Sequence, residues 1–282
     1  MKSKYIEEII VKILMALSLL AVVGFAAGIV YVVFHRGWSC ITWEMVSSLP
    51  GGGFYIGKEG GGFLNAIVGS VYIVAASTLL GLLVSIPVVF YLNVFLKSDS
   101  KFGYVARLAY DVLFGIPSIV YGAFAFTLMI WLGLRTSLLG GILVTTLLII
   151  PILIRSMDEV AKTFPRDLLD ASYSLGATRL ETMGVVLRQI MPGIATATLL
   201  SVGRAIGDAA GVMFTAGFSD SIPSSLSQPA ATLPLSIFFQ LSAPQAEVQN
   251  RAYAAALVLT MIVLVISLAG RFIMHRFSKN KI

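Results

Sequence analysis

The chain has 282 residues, of which 57% are hydrophobic and only 12% are charged, and its mean hydropathy is +0.91. Soluble domains carry about 25% charged residues, so this composition excludes a soluble globular protein, and its hydrophobicity excludes an intrinsically disordered one. A net charge of +6 would suit nucleic-acid binding in a soluble protein, but in a membrane protein it indicates basic residues on the cytoplasmic side. We therefore predict an all-α polytopic membrane protein with no nucleic-acid partner.

Residues that could hold a metal or a redox centre are scarce. Cys40 is the single cysteine, which excludes an internal disulfide, a cysteine-based zinc site and an iron–sulfur cluster. The two histidines, His35 and His275, lie near opposite ends of the chain, which argues against a histidine-based metal site. We expect neither a metal nor a cofactor.

Long apolar runs predict six transmembrane helices, because a spanning helix needs about 20 mostly apolar residues. The first run is long and no small-x-small cleavage signature follows it, so we interpret it as a retained helix rather than a signal peptide. The second run exceeds one span, and we expect Pro87 to kink it or to mark the membrane boundary. In chain order the six predicted spans are 13–34, 63–96, 112–134, 136–154, 189–219 and 252–270.

The basic residues orient these spans. With the N-terminus inside, 15 of the 20 Lys and Arg residues fall on the cytoplasmic side and 4 fall outside, while Arg204 lies within a span. Because basic residues are enriched in cytoplasmic loops, this asymmetry predicts that both termini are cytoplasmic.

A glycine-rich stretch on the outer side, residues 52–59, nearly matches the phosphate-binding pattern G-x-x-x-x-G-K-[ST]. Glu59 stands where the pattern needs a hydroxyl residue, and its charge would repel phosphate. No strand precedes the stretch, and its predicted location is away from cytosolic ATP. We interpret it as an interfacial loop and not as a nucleotide site.

Residues 157–188 form the longest polar stretch of the chain, on the predicted cytoplasmic side. Pro165 suits the first turn of a helix, Asp167 suits a helix start and Gly176 suits a helix end. The pattern predicts a short helix, a glycine turn and a second helix. This segment is either a solvated connection between two spans or a docking helix for a cytosolic partner.

The same stretch resembles the cytoplasmic loop of ABC importer permease subunits, which begins Glu-Ala-Ala and has glycine four residues after the second alanine. Asp170, Ala171, Ser172 and Gly176 match it, with Asp for Glu and Ser for Ala. The family's loop ends in Leu-Pro, whereas here Leu187 precedes Arg188 and the next proline is Pro192. The resemblance implies that an ATPase couples to this segment through five residues: Asp170, Ala171, Ser172, Gly176 and Ala177.

Two intramembrane motifs narrow the resemblance to PstA-type phosphate permeases. Residues 115–118 are Gly-Ile-Pro-Ser, as in those permeases. Residues 204–216 are similar to the family's Arg-Ala-x-Gly-Glu-Thr-Ala-Pro-Leu-Leu-Phe-Thr-Ala, and their departures from it include Asp208 for Glu, Ala209 for Thr and Gly211 for Pro. The match runs from about residue 63 to the C-terminus.

This resemblance implies a type I ABC importer permease fold in the cell membrane. It implies a first helix and glycine-rich loop over 1–62, a permease core over 63–274 and a cytoplasmic tail over 275–282. The chain would form half of a phosphate pathway without catalysing a reaction, since a separate subunit hydrolyses ATP. The implied partners are a second, PstC-type permease, two cytosolic PstB-type ATP-binding subunits and an extracytoplasmic PstS-type phosphate-binding protein, besides membrane lipid.

Charged residues within a span are the candidates for the substrate path. Arg204 and Asp208 are four apart, which predicts one helical face. They either neutralise each other or leave Arg204 to bind an oxyanion through its guanidinium fork. Asp208 would then hold Arg204 when no anion is bound, or accept a hydrogen bond from a protonated phosphate oxygen.

Three further features accompany that pair. Pro117 interrupts a helix, and Ser118 either offers a hydroxyl to the passing anion or bonds to its own helix. Arg107 and Asp111 are predicted to form a surface ion pair, since they too are four apart. A stripe of glycines on the Arg204 helix predicts close packing against another helix: Gly203, Gly207 and Gly211.

Other functions remain open at this point. A permease for another oxyanion, such as molybdate or sulfate, would use the same arginine chemistry. An ion-gradient transporter also uses midplane charges, but that class often shows inverted repeats, and the sequence shows none. A membrane enzyme would need a constellation of His, Cys or paired acids that the sequence lacks.

Overall fold

The structure is a computed structural model that describes residues 2–51, 61–96 and 100–278, with side chains described for 4–51, 61–96, 100–165 and 167–272. The stretch 52–59 that resembles a phosphate loop lies outside the described residues. Within them every regular element is helical. In chain order they are α1 Lys2–Trp38, α2 Trp43–Ser47, α3 Leu64–Phe90, the π segment Tyr91–Phe95, α4 Lys101–Gly115, α5 Ser118–Trp131, α6 Leu138–Lys162, α7 Arg166–Ser174, α8 Arg179–Ile206, α9 Ala210–Met213, α10 Leu233–Leu241 and α11 Ala246–Ser278.

Five helices of the described chain are long and apolar enough to cross a membrane, which confirms a polytopic all-α protein. A sixth candidate is the bent pair α4 and α5, whose axes differ by 99°. The first two predicted runs lie within α1 and within α3 with the π segment. Pro87 lies inside α3, and the backbone changes to the wider π geometry four residues later, at Tyr91.

The prediction of one continuous span over 112–134 is wrong. Its first part belongs to α4, which begins at Lys101, and the chain turns sharply before α5 begins at Ser118. Pro117 is the cause, because it lacks an amide donor and keeps the preceding residue out of the helical region. Ile116 accordingly has φ −73° and ψ 129°.

The boundaries predicted for the span over 189–219 are also wrong. Helix α8 begins ten residues earlier, at Arg179, because Thr178 and Glu181 form a capping box within the polar segment. It ends at Ile206, and Gly207 is its C-cap. The chain beyond Gly207 contains only the short helix α9 before residue 219.

Helix α6 is the central helix of the fold. In its most apolar 18-residue window 72% of the residues are buried, compared with none in the corresponding window of α1. Its buried face contacts α3 and α8 through Ile149, Leu153 and Met157. Because lipid tails are as apolar as these side chains, close shape matching rather than escape from solvent holds such helices together.

Small residues allow the closest contacts of the bundle. Helix α5 lies against α9 at Gly122, where a Cβ atom would come within 2.7 Å of the Gly211 carbonyl oxygen and 3.0 Å of the Ala210 carbonyl oxygen. Gly115, at the end of α4, has no such neighbour within 4 Å of an added Cβ. The contact at Gly122 therefore fixes α5 against the loop that follows α8.

Replacing Gly122 with alanine should destabilise the protein, because the added methyl group meets backbone atoms that cannot rotate away. We expect a loss of about 1–3 kcal/mol, the usual cost of overpacking, measured as a lower thermal midpoint of the purified protein in detergent. Gly115→Ala is the matched control and should leave the midpoint unchanged or raise it. Equal midpoints for the two variants would contradict the close approach of α5 and α9.

Candidate functional site

The bend at Pro117 brings Ser118 beside the loop that follows α8. Ser118 is the first residue of α5 and is buried, with 8% of its surface exposed. An added Cβ on Gly211 would lie 3.6 Å from the Ser118 carbonyl oxygen. The Tyr121 hydroxyl donates to the Leu113 carbonyl (2.8 Å) and so ties the two arms of the bend together.

Arg204 and Asp208 do not share a helical face, so that prediction is wrong. Helix α8 ends between them, because Gly207 departs from the helix. Asp208 is buried, and its Oδ2 accepts a hydrogen bond from the amide of Gly211 (2.9 Å), which holds the start of α9. Arg204 is exposed on the last turn of α8, and no ion pair joins it to Asp208 among the residues that the structure describes.

The predicted glycine stripe is divided by the same helix end. Gly203 and Gly207 are exposed, and a Cβ on Gly203 would meet nothing within 4 Å. Gly211 belongs to α9, where an added Cβ would come within 2.6 Å of Asp208 Oδ2. A single-helix stripe is therefore wrong, and only Gly203 and Gly207 remain open to another helix.

One exposed face runs along α8 and is unusually polar for a membrane helix. The opposite face, with Val186, Ile190 and Ile194, is buried in the core. An arginine at the centre of a lipid-facing helix costs about 2.5–3.5 kcal/mol on insertion scales, so this face is suited to protein or water rather than lipid. Its exposed residues include Arg188, Thr196, Leu200, Gly203, Arg204 and Gly207.

The polar segment 157–188 has the predicted helix, glycine turn and second helix. Gly176 has φ +81°, a conformation that strains any residue with a side chain. Pro165 lies at the N-cap of α7, one position before the first turn. Ser172 and Thr182 bring α7 against α8 through hydroxyl oxygens 3.0 Å apart.

Most of the residues predicted to couple to an ATPase lie on the surface of this segment. Asp170, Ala171 and Gly176 are exposed, whereas Ser172 and Ala177 are half-buried. An apolar side chain stands beside them, since Leu175 is 89% exposed. Leu168 and Leu180 of the same segment are also exposed.

Sequence reasoning missed Asp158 in α6, whose side chain has five donor contacts within the described part of the chain. Its carboxylate is fully buried. Arg107 donates to both oxygens, from Nε to Oδ2 (3.0 Å) and from Nη2 to Oδ1 (3.2 Å). Three further donors complete what we call the Asp158 cluster: Asn93 Nδ2 to Oδ1 (2.7 Å), Tyr110 OH to Oδ2 (2.6 Å) and Lys162 Nζ to Oδ2 (2.7 Å).

The predicted ion pair between Arg107 and Asp111 is therefore wrong. Arg107 turns toward α6, and Asp111 lies 3.6 Å from Arg155 instead. The four-residue spacing of Asp158 and Lys162 was a usable signal for the cluster. The partners on other elements, 48 to 65 positions away, could not be read from spacing.

Within the described chain no group of three His, Cys, Asp or Glu residues could hold a metal ion.

Comparison with known proteins places this arrangement in a family. The sequence profile described as binding-protein-dependent transport system inner membrane component matches residues 90–281. The chain belongs to this family. It is a multi-pass membrane component of an ABC transporter, a permease subunit and not an enzyme, since ATP is hydrolysed by a separate subunit.

Curated proteins similar to this chain include PstA-type phosphate permeases. The chain is 33% identical to the phosphate transport system permease protein PstA of Yersinia pestis, over 79% of this chain and 74% of the relative. It is 32% identical to the PstA protein of Haemophilus influenzae, over 78% of each. The fold is that of type I importer permeases: a chain of the MetNI methionine ABC transporter, in an inward-facing conformation, aligns with a TM-score of 0.62 at 19% identity, over 76% of this chain and 95% of that one.

Replacing Gly176 with valine should disturb the direction of α7, because a β-branched residue does not tolerate the positive φ of this turn. We expect the variant to insert into the membrane normally. Several-fold less ATPase subunit should co-purify with it, because the turn would carry strain of about 1–2 kcal/mol. Gly184→Val, at an open position within α8, is the control and should recover the normal amount. Equal recovery from both variants would show that this turn does not set the docking geometry.

Proposed function

We propose that this chain is the PstA-type permease subunit of an ATP-driven phosphate importer and forms half of the translocation pathway. Two relatives that share about a third of its residues are named phosphate transport system permease proteins. The observation that carries the proposal is Arg204, an exposed arginine on the polar face of a membrane helix, with no carboxylate partner in the described chain.

Arginine chemistry suits a phosphate path. An oxyanion that leaves water must exchange its hydration for protein donors, because an uncompensated charge in a low-dielectric medium is very unfavourable. The planar guanidinium offers two parallel donors that match two phosphate oxygens. Arg204 points away from the core of its own chain, so the path runs along the surface of this subunit.

The other candidate residues lie around the loop that follows Arg204. Asp208 holds α9 through Gly211, and α9 in turn packs against the helix that begins at Ser118. Pro117 creates the break that allows this contact. We propose that Ser118 lines the path beside Arg204 and that Asp208 positions the loop between them.

The exposed faces of the chain indicate where partners bind. We propose that a PstC-type permease covers the polar face of α8, where Gly203 and Gly207 allow close approach of a helix. A PstB-type ATPase would dock on α7, with a second copy on the partner permease, and a PstS-type phosphate-binding protein would dock on the outer face. The core of the importer subunit would span 63–274 in the cytoplasmic membrane, with both termini in the cytoplasm.

Arg204→Gln should abolish phosphate uptake while membrane insertion and complex assembly stay normal, because Arg204 lies outside the packed core. We expect a loss of more than about tenfold, since truncating one partner of a desolvated charge pair costs about 2–5 kcal/mol. Arg204→Lys should recover only part of the activity, since an ammonium group cannot form the bidentate contact.

The measurement is uptake of radiolabelled phosphate by cells that contain the complete transporter and no other phosphate importer. Arg135→Gln, an exposed arginine outside α8, is the control and should transport at the native rate. Native uptake by Arg204→Gln would remove the arginine from the path. Uptake of sulfate in place of phosphate would retain the mechanism and change the substrate.

The proposed orientation is tested by the single cysteine. Cys40 follows the end of α1 and is half-buried, and with cytoplasmic termini it lies on the outer side. A membrane-impermeant maleimide should therefore label it in sealed, right-side-out vesicles. The Cys40→Ser chain should stay unlabelled, and labelling that requires permeabilisation of the vesicles would reverse the orientation.

A further inference from the structure

The Asp158 cluster connects elements that are far apart in sequence. Asn93 belongs to the π segment, Arg107 and Tyr110 belong to α4, and Asp158 itself belongs to α6. Hydrogen bonds to an ionised group are about twice as strong as those between neutral groups. The three elements are therefore held to one another at this point and shift together.

The cluster lies between the cytoplasmic segment and the broken helix. Lys162 is the last residue of α6, and α7 begins four residues later at Arg166. On the other side, Arg107 and Tyr110 lie in the same unbroken helix, α4, that ends at Gly115 beside Pro117. A displacement that enters at Lys162 thus reaches the bend through a single rigid helix.

A second contact joins the cytoplasmic segment to the π segment. The Arg179 Nη1 atom donates to the carbonyl of Phe95 (3.4 Å), and its guanidinium lies 5.9 Å from the centroid of the Phe95 ring. Arg179 is the first residue of α8, directly after the Gly176 turn. The chain on each side of α7, at Lys162 and at Arg179, therefore contacts an element of the Asp158 cluster.

A cavity of about 610 Å³ separates the cluster from α7. The cluster contributes Asn93, Arg107 and Lys162 to its wall. The facing wall includes Leu169, Asp170 and Tyr173 of α7. The cluster and α7 thus face each other across a common cleft. A π-helical turn at such a junction is typical of functional sites.

We propose that Asp158 is a positioning residue that transmits ATP-driven movement of α7 to the helix break at Pro117 and Ser118. The proposal rests on the proposed function, because it assumes that an ATPase docks on α7. Asp158 itself does not touch the substrate. It fixes α4 to α6, so that the two helices move together. A movement of α7 then changes the angle between α4 and α5 at Pro117.

The test compares Asp158→Asn with Glu159→Gln in the complete transporter, reconstituted in liposomes. Both variants remove one negative charge from neighbouring residues of α6, but Glu159 is exposed and Asp158 is buried. Removing the carboxylate leaves Arg107 and Lys162, whose side chains are 25% and 44% exposed and can be hydrated. The variant is thus milder than removing Arg107, which would leave a buried anion without its main partner.

The readout is the rate at which a maleimide labels Ser118→Cys, in a Cys40→Ser background, with and without ATP and vanadate. In the otherwise native chain and in Glu159→Gln we expect ATP to change this rate. In Asp158→Asn we expect the ATP response to fall by about tenfold, because this variant loses the charge-assisted bonds that link movement of α7 to the bend at Pro117. ATP hydrolysis should stay within about twofold of the native rate, since α7 still docks.

Several results would overturn the proposal: no ATP response at position 118 in the native background, a full response in Asp158→Asn, or a parallel fall of hydrolysis and response. If Asp158→Asn does not assemble, Tyr110→Phe decides, because it removes one hydrogen bond and leaves the charges paired. A reduced response in that variant supports the proposal, and a full response overturns it.

Phosphate uptake by the Cys40→Ser chain, measured separately, tests the proposed substrate without affecting this outcome.

Discussion

A charge buried inside a protein needs a partner, and the way this chain meets that requirement explains much of its architecture. The carboxylate of Asp158 is fully buried and takes donors from three helical elements. Desolvation of an isolated carboxylate would be very unfavourable, so these donors must stay in place whenever the protein is folded. The position of α4 against α6 follows from that requirement, and the position of the helix break follows from α4.

Arg204 meets the same requirement differently. Its guanidinium lies on an exposed face, and the residues that the structure describes offer it no carboxylate. The chain thus supplies the partners of the buried Asp158 carboxylate itself, whereas Arg204 faces groups outside the chain. Internal pairing stabilises the fold, whereas the outward-facing arginine remains available for an anion. This division agrees with membership in a family whose members work as parts of larger transporters.

Hydropathy located the long apolar helices, because lipid imposes the same apolar requirement along every span, but it misplaced the spans over 112–134 and 189–219. The glycine turn at Gly176 was also correct, since only the local backbone decides a positive φ. Features that depend on three-dimensional contact were not predictable. The 99° bend needed the packing of α5 on α9 as well as Pro117. Spacing suggested that Arg107 and Arg204 each pair with an acid four residues later in the same helix. Arg107 instead pairs with Asp158, 51 residues away. Arg204 does not share a helix with Asp208, because α8 ends before Asp208.

The open polar face of α8 has a consequence for biogenesis. A newly inserted chain whose polar α8 face is not covered would present Arg204 to lipid, which is unfavourable by up to about 2.5–3.5 kcal/mol, the cost of an arginine at the centre of a span. An isolated subunit is therefore less suited to lipid than one whose polar α8 face is covered by another chain.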